Sequence, residues 1–222
     1  YEYYLKGTYK FKKRKDIEDT YIARGFLMKA IELDGNLMIA ENILGRTYLE
    51  LGEYDKAMDI YSDNYNKAEK NADKKSMGRA LGDIGIIYLE HKNNSEKAYE
   101  YFTRSLYLAE KIDDKSVIAT ALNRLGFIHS ERGDYDRQII NLNRSIKIFE
   151  ELADDNGIGI ILCNFADISI TMGLFKEALE YANRAMKLFE GMEYTRGISF
   201  CLEYFSLIYY YTGDYKKAMK YI

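Results

Sequence analysis

Proline and tryptophan are absent from the 222 residues, and cysteine and histidine occur only twice each. Average usage would place roughly 11 prolines in a chain this long, so a proline-rich linker is excluded. The longest apolar stretches, such as residues 205–211, fall far short of the roughly 20 residues that span a bilayer, and no membrane partner is expected. Cys163 and Cys201 lie in apolar periodic segments without a close second thiol or a histidine at metal spacing. They read as small buried hydrophobes and fit a reducing, cytoplasmic compartment. With only His91 and His129, and no HExxH, CxxC, glycine-rich phosphate loop or GxSxG, no motif for metal, cofactor or nucleophilic chemistry is available. These residues are therefore read as non-enzymatic, without cofactors. The net charge of −3 and isoelectric point near 5.6 supply no field toward a phosphate backbone, so nucleic acid is not an expected partner.

What the chain does have is 47% hydrophobic, 30% charged and 14% aromatic residues, 22 of them tyrosine. That is the composition of an ordered domain, and a chain this long buries roughly 70% of its unfolded surface without staples. One turn recurs five times: Gly52-Glu53-Tyr54, Lys92-Asn93-Asn94, Gly133-Asp134-Tyr135, Gly173-Leu174-Phe175 and Gly213-Asp214-Tyr215. The residues that follow these turns at equivalent places, Ala57, Ala98, Gln138, Ala178 and Ala218, are spaced by 41, 40, 40 and 40. Seven residues before each turn glycine or its equivalent stands a small side chain: Gly45, Gly85, Gly126, Ala166 and Ser206. A small residue there lets a neighbouring helix approach closely. Apolar residues around it recur at helical spacing, as in Leu81, Ile84, Gly85 and Tyr88, so each unit reads as helix, tight turn, helix. The turn glycine supplies a conformation other residues adopt only with strain, and the acidic residue after it suits a helix start.

These residues resemble the tetratricopeptide repeat. The resemblance rests on a Leu-Gly pair, an aromatic three residues on (Tyr48, Tyr88, Tyr209), Gly-Asp-Tyr at the turn, an alanine, then an aromatic four residues later (Tyr61, Phe102) and a small residue three after that (Ser105, Ser145, Ala185). It implies an all-α fold, an α-α superhelix of about twelve antiparallel helices in one array. An atypical unit at 1–36 would precede full repeats at 37–76, 77–117, 118–157 and 158–197 and a partial one at 198–222. The sequence departs from the family where Gln138 replaces the packing alanine and where the usual spacing of 34 grows to 40. The extra residues are expected in polar stretches between units, such as residues 71–76 and 153–157. Gln138 and Ala182 are expected to leave weaker packing in the third and fourth full repeats.

The opening segment, with its basic run Lys10, Lys12, Lys13, Arg14 and Lys15, is similar to the start of tetratricopeptide regions attached to bacterial adenylate cyclases, winged-helix regulators and Ser/Thr kinases. The basic run itself complements the end of a first helix. The chain begins at Tyr1 and stops at Ile222 just after a periodic run restarts, so it is expected to be a piece of a longer polypeptide.

The resemblance implies a concave face lined by the first helix of each unit, binding a protein or peptide partner. With the small residue counted as position 8, inward positions 2, 5, 9, 12 and 13 hold Asn42, Arg46 and Glu50, then Arg79, Ile86 and Glu90, then Asn123, Phe127 and Glu131, then Cys163, Asp167 and Thr171, and finally Glu203, Leu207, Tyr210 and Tyr211. The candidate ligand-binding residues are Asn42, Arg46, Arg79, Asn123, Phe127, Asp167, Glu203, Tyr210 and Tyr211. Arginines at one end and carboxylates at the other suggest a polarised groove. Arg46 is the only cation at positions 5 or 9, which argues against a carboxylate-gripping co-chaperone. The expected function is a non-catalytic binding scaffold, the regulatory region of a larger signalling protein. Two alternatives are part of a cyclase or kinase polypeptide whose catalytic domain lies elsewhere, and a self-association scaffold that forms homo-oligomers through open ends such as the Ile222 face.

Overall fold

The computed structural model describes residues 1–221, and the Ile222 face lies outside them. The described residues form twelve helices: α1 (Glu2–Lys12), α2 (Ile17–Leu33), α3 (Met38–Glu50), α4 (Tyr54–Lys70), α5 (Lys74–Glu90), α6 (Ser95–Lys111), α7 (Lys115–Glu131), α8 (Tyr135–Glu151), α9 (Asp155–Thr171), α10 (Phe175–Gly191), α11 (Thr195–Tyr211) and α12 (Tyr215–Ala218). Among the described residues there is no strand, and the fold is all-α. Two compact units divide the chain, Tyr1–Val117 and Ile118–Ile222. Each is a solenoid of stacked helix pairs, since connections this short make consecutive helices antiparallel neighbours.

The 40-residue spacing has a simple origin. Each helix from α4 to α11 has 17 residues, and all but one of the links between them have three. The extra residues therefore lengthen helices rather than loops: the stretch expected to loop out at 71–76 is a link of three residues followed by the first turn of α5.

The three-residue links share one backbone design, although Leu174 and Tyr194 lend no side-chain cap to α10 and α11. A residue with left-handed φ ends one helix: Gly52, Gly133 and Gly173 at +72° and Gly213 at +82° inside the repeats, but Ala72, Asp113, Ala153 and Glu193 at +50° to +54° between them. The amide of the next residue then reaches back five places, as in Asp73 to the Ala68 carbonyl at 2.9 Å and Asp134 to His129 at 2.8 Å. This closes a Schellman-type end. That next residue also caps the following helix: Asp73, Asn94, Asp114, Asp134, Asp154 and Asp214 each accept a hydrogen bond from the amide three residues on. In the sequence pairs Asp113-Asp114 and Asp154-Asp155, Asp114 and Asp154 are thus caps.

The core is set by rings lying on glycines. A Cβ on Gly45 would come within 2.5 Å of Tyr61, and one on Gly85 within 2.5 Å of Phe102; both rings are fully buried. In the second unit the equivalent ring positions hold Leu142 and Ala182, and the bulk moves two turns along the same helix to Phe149 and Phe189. The glycines move too. Gly157 faces Phe149, and Gly159 and Gly197 both face Phe189 at 2.4–2.5 Å. Ala182 and Phe189 belong to one cluster with Leu162, Ala166 and Phe205, so the weaker packing expected at Ala182 is made good by Phe189. Gln138 is different, because it is buried with its Oε1 lacking a hydrogen-bond partner. Serine hydroxyls stitch first and second helices together, Ser105 to the Gly78 carbonyl at 2.6 Å and Ser145 to Ala119 at 2.8 Å.

Two outcomes follow for chemical denaturation. Phe189→Ala should cost about 3–5 kcal/mol, because no other large side chain fills the space between Gly159 and Gly197. Gln138→Ala, which restores the residue found at Ala57, Ala98, Ala178 and Ala218, should stabilise the chain by about 1 kcal/mol by removing a buried, unsatisfied amide oxygen.

Candidate functional site

The first helices of the repeats, α3, α5, α7, α9 and α11, turn a polar and aromatic strip away from their second helices. In the first unit, Arg46 and Arg79 are exposed and Asn42 is half-buried. The Asn42 Oδ1 accepts from the Asn64 amide at 2.9 Å, which fixes its side chain and leaves its NH2 outside that bond. The Arg46 guanidinium lies 5.6 Å from the centre of the buried Phe11 ring, and Arg14 lies 4.1 Å from the same ring. Arg14 also pairs with Glu50 at 2.7 Å, while Lys10 pairs with Asp19. Two members of the basic run thus hold α1 in place. Against the upward pull of burial, Lys75, 3.0 Å from the Asp114 carboxyl, holds it below the usual carboxylate range, with the Val117 amide and then the Arg79 charge adding to the effect.

The second unit carries the other six candidates. The Asn123 Oδ1 accepts from Asn164 at 2.6 Å. Phe127 is half exposed, and Asp167 and Glu203 are exposed beside it in the register. Asp167 is nonetheless crowded: partial desolvation raises its carboxyl above the ordinary value. Tyr204, one turn along α11 from the thiol of Cys201, is its neighbour; burial and then the Asp167 charge push its phenol up. Tyr210 and Tyr211 stand at the turn edge. Tyr211 stacks on Phe175 at 6.0 Å, and Tyr210 meets Tyr215 edge-on at 5.6 Å.

Two residues assigned inward are not available there. Ile86 and Cys163 are buried, Cys163 because α11 brings Cys201 against it. Conversely, Ile39, Ile160 and Phe200 are exposed at position 2 of their repeats. Position 2 thus carries apolar side chains in three repeats and Arg79 in another. The histidines have packing roles. His91 stacks on Tyr54 at 3.9 Å, and His129 is buried, which lowers its pKa. Behind α9, on the side away from Asp167, a cleft of about 420 Å³ opens among Ile146, Leu162, Phe165, Tyr181 and Arg184. No group of three or more potential metal ligands occurs among the described residues.

A tetratricopeptide repeat model matches residues 76–151 and 117–191, together more than half of the chain, and a second such model matches residues 42–63. The chain belongs to the tetratricopeptide repeat family. No curated protein matches the sequence significantly. Among solved structures, aspartyl phosphate phosphatase F from Bacillus subtilis aligns at 18% identity and a TM-score of 0.72, covering 99% of this chain and 56% of that one. A Rap protein complexed with Competence and Sporulation Factor aligns at 15% and 0.72, covering 99% and 71%. A signal transduction ATPase with numerous domains, which has a tetratricopeptide repeat sensor and comes from Pyrococcus horikoshii, aligns at 23% and 0.66, covering 92% and 34%. The chain thus spans about a third of that ATPase and just over half of the phosphatase. At these identities the likeness is one of fold. As a tetratricopeptide repeat protein the chain is a protein-interaction scaffold, built on a fold that is typically non-catalytic. No helix among the described residues is long and apolar enough to cross a membrane.

Asp167 carries a testable cost. Its folded-state pKa is raised, so its contribution to stability is complete below about pH 4 and is lost as pH rises through the folded value. Asp167→Asn should therefore raise the thermal midpoint at pH 7 and leave it unchanged near pH 3.5.

Proposed function

We propose that this tetratricopeptide repeat chain is the sensory arm of a larger cytoplasmic signalling protein, and that it binds a peptide or protein segment on the exposed face of its first helices. The observation that carries this reading is the set of exposed side chains at one register position of neighbouring repeats, Phe127, Asp167 and Leu207. A carboxylate between two apolar side chains is what a site for a cationic, apolar side chain requires. Taken separately, the first unit, with Arg46 and Arg79, suits an acidic segment, and the second, with Asp167, Glu203 and exposed aromatics, suits a basic one. Asn42 and Asn123, each fixed by a second asparagine, offer oriented amide donors to a peptide backbone.

The likeness to a sensor region of a signal transduction ATPase and to a Rap protein in complex with Competence and Sporulation Factor supports a regulatory role. An attached cyclase, kinase or winged-helix domain is the output this reading implies.

Selection of displayed random 12-residue peptides on the purified chain tests it, followed by anisotropy titration of the enriched peptides. Basic-apolar peptides and acidic peptides are expected as two separate groups. Asp167→Asn combined with Glu203→Gln should weaken the first group, and Arg46→Glu combined with Arg79→Glu the second, each by about tenfold or more. Enriched peptides that bind all variants equally would overturn the assignment of this face.

A further inference from the structure

Cys163 and Cys201 are the only cysteines of the chain. They are 38 positions apart, yet the fold places their sulfurs 4.0 Å from each other. Cys163 is on α9 and Cys201 on α11, first helices of consecutive repeats within the second unit. Both are free thiols in a shared apolar cluster. Three of the cluster's other members are alanines, Ala166, Ala182 and Ala185, so the sulfurs have small neighbours to move against. A disulfide requires about 2.05 Å between the sulfurs. Side-chain rotation and a slight approach of α9 and α11 would supply the difference.

We propose that Cys163 and Cys201 form a modification site, in which a two-electron oxidant of the peroxide class converts the two thiols into an intramolecular disulfide tying α9 to α11, and a thiol reductant reverses it. One thiolate attacks the peroxide O–O bond, becomes a sulfenic acid and releases one water after proton transfer. The second sulfur attacks that sulfenic sulfur, forms the S–S bond and releases a second water. Two thiols and one peroxide thus give one disulfide and two waters.

The neighbouring sulfurs assist each other. Either thiol can donate to the other across the contact, so a thiolate on one sulfur is steadied by the proton on its partner. Cys163 retains 7% of its surface and Cys201 none, so a molecule as small as hydrogen peroxide arrives from the Cys163 side. Proton exchange along the contact can put the thiolate there. Once one sulfur is oxidised, its partner is already in contact and closes the bridge ahead of further oxidation. A reversible bridge of this kind suits a reducing compartment, where disulfides are transient and sense redox change.

Asp167 lies one turn beyond Cys163, and Glu203 two residues beyond Cys201. Drawing α9 toward α11 therefore moves the acidic part of the second unit's exposed face. That consequence rests on the binding face proposed above; the bridge itself does not.

The test treats the reduced, purified chain with hydrogen peroxide and reads intact mass and a non-reducing peptide map. The expected result is a loss of about 2 Da, joint disappearance of both thiols from alkylation, a linked peptide pair containing residues 163 and 201, and full reversal by dithiothreitol. Cys201→Ala should instead leave Cys163 alkylatable or carry it up the oxidation ladder. A gain in steps of about 16 Da without a linked pair, two thiols that survive the treatment, or a disulfide between two chains would each overturn the proposal. Measured on the wild-type chain, these outcomes do not depend on any variant folding. A bridge that forms while the affinity of the selected peptides stays the same would overturn the coupling to the binding face alone.

Discussion

A ring lying on a bare backbone holds this protein together. Where a glycine of one helix receives the flat side of a tyrosine or phenylalanine from the next, the two helices approach to a distance that a single methyl group would forbid. Gly45 with Tyr61 and Gly85 with Phe102 do this in the first unit, and Gly159 and Gly197 clasp Phe189 from two sides in the second. Because no single helix pair can bury its own apolar face, these contacts fix the spacing within each unit. The spacing in turn decides which side chains remain outside.

That remainder is the exposed strip. Eight consecutive helices of equal length, joined by short links with left-handed turns, present the same register positions in every repeat. A side chain at position 9 is therefore Arg46 in one repeat, Phe127 in another and Asp167 in a third, and the chemistry of the face is written by substitution at fixed positions on a constant frame. The frame tolerates this because its stability comes from the glycine–ring contacts and the capped links, none of which involve those positions.

Much of this frame is legible in the sequence. The five turns, the small residue seven places earlier and the alternation of helices follow from glycine, aspartate and apolar periodicity. What escapes a linear reading has physical causes. The links between repeats use Ala72, Ala153 and Glu193 in left-handed conformation, so no glycine marks them, and they look like longer loops than they are. The move of bulk from Tyr61 and Phe102 to Phe149 and Phe189 preserves volume while breaking the pattern, so Ala182 looks like a defect when it is half of an exchange. Gln138 has no such partner and remains a real cost. On the face, residue type could place Arg46 and Asp167, but only packing reveals that Ile86 and Cys163 are covered and that Tyr211 leans on Phe175. The contact between Cys163 and Cys201 joins helices of different repeats, and no local spacing encodes it.

The one irregular link carries a lesson about how such an array changes over generations. Between α5 and α6 the chain runs through four residues instead of three, with Asn93 left-handed at φ +45° and Asn94 still capping α6. The added residue is absorbed where the backbone reverses, and every later repeat keeps its phase. The same insertion inside a 17-residue helix would rotate all side chains beyond it by about 100°, carrying buried rings to the surface and face residues into the core. Gains and losses of single residues can thus be inherited at the links alone, and repeats can lengthen only by coordinated change in both of their helices.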